Sequence, residues 1–266
     1  MFTWRHFLWL GICLVLSIIG LHIMKKRNLP ISKALTSACV AAILSEIIKV
    51  FSTIEMVPSA DGSLIFPYLP MNHLPLHLCS IQIPLIFYAR FTDNEKGREN
   101  VLSFMYPSCF LGGIMALAMP SIFQTTIKVE QAFTHPMAYQ FFLYHIMLVT
   151  LGLYIAISGH IKWERRHLVN TYLFTYTLSF LSLYTNSMFA SPVYEGGKLI
   201  SVEFWPNFFF TYNNPLGLKI TTETGWRIYL LIILAVSALL IFLCFVPLLF
   251  KKKKNVSSII SSVKLQ

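Results

Sequence analysis

The stretch WRIYLLIILAVSALLIFLCFVPLLF, residues 226–250, carries one charged side chain, Arg227 at its second position, and runs directly into Lys251, Lys252, Lys253 and Lys254. An α-helix rising 1.5 Å per residue needs about 20 apolar residues to cross bilayer hydrocarbon. This run has that length, and the lysines end it. The same rule, applied outward, gives six more runs, over residues 6–24, 34–54, 74–91, 101–119, 137–158 and 168–190. Pro75 and Pro136 stand at the starts of the third and fifth, where a missing N–H costs nothing. The expected fold is all-α, a polytopic membrane protein with seven transmembrane helices. It forms a single domain over residues 1–254, followed by a Ser-rich, disordered cytoplasmic tail over 255–266.

Composition agrees. Of the 266 residues 56% are hydrophobic and only 12% charged, against about 25% charged in soluble domains. Mean hydropathy is +0.64. No polar block is large enough to fold alone. The formal charge of +10 does not indicate a nucleic-acid binder, because the basic residues sit in short clusters between apolar runs rather than on one water-facing surface. Those clusters are Lys25, Lys26, Arg27 and Lys33; Arg90, Lys96 and Arg98; Lys162, Arg165 and Arg166; and Lys251 to Lys254. All fall on one side of a seven-span path. The positive-inside rule makes that side cytoplasmic, with the N-terminus outside and the C-terminus inside the cell membrane.

The run over 6–24 is followed by a basic stop and no small-residue cleavage site, so it reads as a retained span. Five cysteines without CxxC spacing indicate neither a disulfide framework nor a zinc site. No cofactor motif appears. The external connection from Ser191 to Gly225 is unusually greasy, with Phe204, Trp205, Phe208, Phe209 and Phe210. Such a segment is expected to lie on the interface or fold back as a lid.

Polar groups inside lipid are the candidates for function. Glu46 and Lys49, three residues apart, share a helix face and form either a structural ion pair or a substrate or proton site. A charge at mid-bilayer costs on the order of 3 kcal/mol, so Glu46 is expected to face the bundle while Lys49 snorkels outward. At the mouth of the third run lies Leu74-Pro75-Leu76-His77-Leu78-Cys79. On a helix begun at Pro75, His77 and Cys79 point about 200° apart; on an extended entrance they share a face. Pro84 is expected to kink the helix beside Cys79, and Gln82 shares the face of that cysteine. His145, in Phe141-Phe142-Leu143-Tyr144-His145, lies about 13 Å into the membrane from the same side, against about 6 Å for Cys79. Asn186 reaches that level from the sixth run, and an amide there is placed to meet an oxyanion or orient a histidine.

Taken singly, a membrane cysteine is usually a small hydrophobe, a histidine bonds a neighbouring helix and a terminal Asn caps one. Their coincidence on one leaflet favours a site. The motifs Leu74 to Cys79, Phe141 to His145 and Asn186-Ser187-Met188-Phe189 resemble the transmembrane protein 164 family, whose bacterial branch is called YwaF-like, over residues 35–250. That resemblance implies a polytopic protein and, from the animal branch, an acyltransferase acting on phospholipids with a cysteine nucleophile. The cysteine corresponds to Cys79 and the histidines to His77 and His145. Bacterial members commonly carry an acidic residue after the cysteine, where this sequence has Ser80.

The expected function is therefore a lipid acyltransferase or transacylase at the outer membrane face. Cys79 is the nucleophile, His145 or His77 the base, and Asn186, Glu46 and Gln82 the substrate or oxyanion contacts. Membrane lipids are the partners, among them an acyl-lipid substrate. The alternative is a transporter or small-molecule-binding protein whose polar cluster, Glu46 foremost, holds substrate or protons.

Overall fold

A computed structural model describes residues 2–204, 206–214 and 219–250. The tail over 255–266, with Lys251 to Lys254, lies outside the described residues. The chain folds as α1 (Trp4–Lys26), α2 (Ile31–Thr53), β1 (Glu55–Pro58), β2 (Ile65–Tyr68), α3 (Leu78–Phe91), α4 (Glu95–Ala118), the single turn α5 (Ile122–Thr125), α6 (Pro136–Ile157), α7 (Arg165–Met188), β3 (Ser191–Glu195), β4 (Lys198–Phe204) and α8 (Glu223–Leu249). The all-α expectation is corrected in one respect. Both β1–β2 and β3–β4 pair as antiparallel hairpins in the connections between helices.

Among the described residues, α1, α2, α4, α6 and α8 are long and apolar enough to cross a membrane. The other two long helices fall short for different reasons. Leu74, held extended (φ −58°, ψ 145°) by the proline after it, keeps Pro75 out of α3, which starts only at Leu78. Its 14 residues span about 21 Å, less than the hydrocarbon thickness. Helix α7 has 24 residues, but Thr171, Thr175, Ser179, Ser182, Thr185 and Asn186 make it more polar than the five.

Helix α6 forms the centre. In its apolar window 72% of residues are buried, against 17% in α1 and α8, whose exposed Leu, Ile and Val side chains face outward. This is the pattern of a bundle solvated by lipid, where helices associate through close packing rather than hydrophobic exclusion. Helices α4 and α6 approach closely because Gly152 and Gly113 lie between them. A Cβ on Gly152 would come within 2.8 Å of Tyr106 O and 2.9 Å of Phe110 N, and one on Gly113 within 3.0 Å of His145 O. Trp9 of α1 stacks between Phe133 and Phe142, and its indole donates to Ala132 O at 2.8 Å.

Prolines interrupt α3, α4 and α8, each removing the N–H that would bond the carbonyl one turn back. In α4 a neighbouring hydroxyl meets the loosened carbonyl. The Thr171 hydroxyl lies 3.1 Å from Ser103 O, which Pro107 leaves open, and shares its proton with His167 O at 2.8 Å. Two further tyrosines donate to helix carbonyls that no proline frees, Tyr144 to Cys79 O at 2.9 Å and Tyr106 to Cys244 O at 2.8 Å.

The helices alternate in direction. Arg90 bonds Thr36 at 2.6 Å, Arg166 pairs with Glu99 at 2.6 Å and Tyr154 donates to Leu29 O, all at the end that carries the basic turns. At the opposite end His6 meets Leu117 O at 2.9 Å, and both hairpins emerge there.

Candidate functional site

The entrance to α3 is neither helical nor continuously extended: it is a turn, in which Leu76 N donates to Leu74 O at 2.8 Å. His77 takes φ −72° and ψ 154° as the residue before the helix, so Cys79 is the second helical residue. The 200° separation drawn from a helix begun at Pro75 therefore does not hold, and the thiol stands at the positive end of the α3 dipole. Cys79 is half-buried, whereas Cys13, Cys39, Cys109 and Cys244 are buried.

His145 is 4% exposed, and its Nδ1 lies 2.7 Å from Phe141 O. A carbonyl only accepts, so Nδ1 carries the proton and Nε2 keeps the lone pair. His145 is within electrostatic reach of His77, whose ring meets Phe208 edge-on at 4.8 Å. Tyr144 ties α6 to α3 through Cys79 O and is within electrostatic reach of Cys79, Cys109 and Glu46. Groups from α2, α3, α4 and α6 thus converge on one polar cluster below the hairpin end.

The ion pair of α2 is present, with Lys49 Nζ 2.6 and 2.8 Å from the two Glu46 oxygens. Its orientation reverses expectation. The Lys49 side chain is 9% exposed and that of Glu46 28%. Ser45, Lys49 and Thr53 lie along the buried stripe of α2, and Gln140 of α6 donates to Ser45 at 2.7 Å. Lys49 therefore sits inside the packed face and Glu46 at its rim. Gln140 Oε1 is buried without a partner among the described residues. Outside the spans, burial pushes the His73 imidazole below its ordinary range, with Lys49 adding to that and Glu55 opposing it.

Two sequence candidates are occupied by structural bonds. Asn186, fully buried, uses both amide hydrogens on Phe208 O at 3.1 Å and Thr211 Oγ1 at 2.9 Å, while its Oδ1 accepts from Phe208 N at 2.9 Å. No N–H remains for an oxyanion; Asn186 positions Phe208 against His77 instead. Gln82, also fully buried, donates to Leu78 O and Ser108 Oγ at 3.1 Å and accepts from Cys109 at 3.2 Å, joining α3 to α4. Sequence reasoning missed Tyr144, Gln140, Ser45 and Phe208. Gln140 and Tyr144, four apart on a helix and therefore on one face, carried a usable signal.

Among the described residues no group of three or more His, Cys, Asp or Glu side chains could hold a metal ion. The fold and the cluster define a multi-pass membrane protein with a thiol, imidazoles and an ion pair gathered near one end of its helices. The chain belongs to the TMEM164 family, whose model matches residues 1–247. No curated protein and no solved structure matches it.

Proposed function

We propose that this protein is a membrane-embedded lipid acyltransferase with Cys79 as nucleophile. In this reading α3, extended by residues 74–77, and α7 complete seven spans in the cell membrane, with the N-terminus outside and the basic turns cytoplasmic. The carrying observation is the position of Cys79. It is the one half-buried cysteine, and as the second residue of α3 it stands at the end of the helix whose dipole favours a thiolate. His145, with Nδ1 bonded to Phe141 O, offers Nε2 as the base.

The chemistry balances as two transfers. The thiol proton passes to His145 Nε2 as sulfur attacks the ester carbonyl; the C–O bond breaks, the leaving alkoxide takes that proton, and a thioester remains on Cys79. An acceptor hydroxyl then gives its proton to His145 and attacks the thioester; the C–S bond breaks and the thiolate is reprotonated. Tyr144 is bonded to the backbone of the nucleophile and acts as a positioning residue.

The experiment is acyl exchange between an isotopically labelled phospholipid and a lysolipid in vesicles containing purified protein. Cys79→Ala is expected to abolish exchange with unchanged thermal unfolding. Exchange at the wild-type rate in that variant overturns the proposal. The binding or transport reading is favoured by the buried Lys49 on the same stripe of α2 as Ser45, which accepts from Gln140, and by a Gln140 oxygen without a partner among the described residues. It expects Glu46→Gln, and not Cys79→Ala, to abolish function.

A further inference from the structure

A cavity of about 900 Å³ opens at the hairpin end between α7, α8 and the β3–β4 hairpin. It lies away from Cys79, and no step of the proposed chemistry uses it. Its size falls within the roughly 300–1,000 Å³ of small-molecule sites. Its walls differ in character. Pro192 and Tyr194, two apart on β3, share a face; their partners Val202 and Leu199 are three apart on β4, and the register shift between Val193 and Tyr194, which passes over Ile200, brings both to that face, so that all four line the cavity. That apolar face is not covered by protein: Tyr194 is 63% and Leu199 57% exposed.

The facing wall is polar and braced. Tyr212 donates to Leu183 O at 3.2 Å, and Asn207 Oδ1 accepts from the amides of Tyr212 and Asn213, each at 3.1 Å. Trp226 in the first turn of α8 lines the cavity and donates to Thr211 O at 3.0 Å, which fixes its ring. Thr221 and Thr222 add hydroxyls, and Lys219 is the one charged side chain among the described lining residues.

An uncovered apolar sheet face opposite a rigid polar wall with a single cation fits a molecule with one greasy chain and one negative head. We infer that this cavity binds a single-chain anionic amphiphile drawn from the bilayer, its chain on Pro192, Tyr194, Leu199 and Val202 and its head on Lys219. The site operates independently of Cys79, so Cys79→Ala leaves binding intact whether or not the acyltransferase reading holds.

The test uses full-length protein in neutral-lipid nanodiscs, with dibromostearate as the probe and quenching of tryptophan fluorescence as the readout. The quenched component is assigned to Trp226 by its loss in Trp226→Phe. Saturable quenching is expected in the wild type and in Lys219→Arg. In Lys219→Gln the half-saturation rises by about tenfold or more, as expected for losing one charge-assisted contact, and Leu199→Glu removes the quenching. Lys219 is exposed, so its variants test the site without touching the core. Equal quenching by a neutral brominated monoacylglycerol, quenching that never saturates, or a half-saturation unchanged in Lys219→Gln overturns the inference.

Discussion

Asn186 shows how one buried amide can fix the environment of a reactive centre it does not touch. Its three bonds hold the turn Phe208–Phe210, in which Phe209 and Phe210 take positive φ of 58° and 54°, and the turn places Phe208 on His77. Asn186→Ala strands the buried N–H of Phe208, whose carbonyl keeps Thr211, and is expected to lower stability by about 1 to 3 kcal/mol. Thermal unfolding in detergent checks this, and an unchanged midpoint would refute the clamp. His145 differs, because Nδ1 is held by Phe141 O and the lone pair on Nε2 is what the proposed reaction uses. His145→Ala is expected to slow Cys79 acylation by roughly 10²- to 10⁴-fold, read from burst kinetics, while the protein still folds; an unchanged rate would remove it as the base.

At the scale of elements, prolines and hydroxyls are coupled. In α4 the carbonyl of Ser103 has lost its helical donor to Pro107 and bonds Thr171 of α7. Thr171→Val is expected to cost about 1 kcal/mol. Pro107→Ala restores an N–H to Ser103, and in that background the same substitution becomes nearly neutral; additive losses in the double-mutant cycle would show that the two are unrelated. The β1–β2 hairpin was legible in retrospect. Asp61-Gly62 is a turn signal, with Asp61 accepting from Ser59 and Ser63 hydroxyls and Gly62 at φ 70°. Those bonds hold the Asp61 carboxyl down at about 2. The strands escape a search for period-two burial because all eight of their residues are exposed.

Across the whole molecule, the basic turns occupy one end and the hairpins, the α3 entrance and the cavity under β3–β4 the other. Single cysteines introduced at Ser59 and at Lys162 provide the test of orientation. A membrane-impermeant thiol reagent added to intact cells is expected to label the first and spare the second, and the reverse pattern would invert the proposed topology. The native cysteines are buried except Cys79, which is replaced by Ala in the background.

Apolar runs of about 20 residues, basic turns and Pro136 at the first position of α6 were enough to establish a helical membrane protein, because lipid forces each spanning segment to satisfy its own backbone. That constraint is local and can be read one segment at a time, as it was from residues 226–250. The roles of polar side chains could not be read so. Whether Lys49 or Glu46 is buried depends on which stripe of α2 meets α6, and whether Asn186 is open to substrate depends on a turn some 22 residues later. The turn that puts Cys79 at the start of α3 is local chemistry set by Pro75, but the arrival of Tyr144 at its carbonyl is not. Hydrogen bonds reach only about 3 Å, so the partners of a buried donor are decided by how helices pack, and only the tertiary structure contains that.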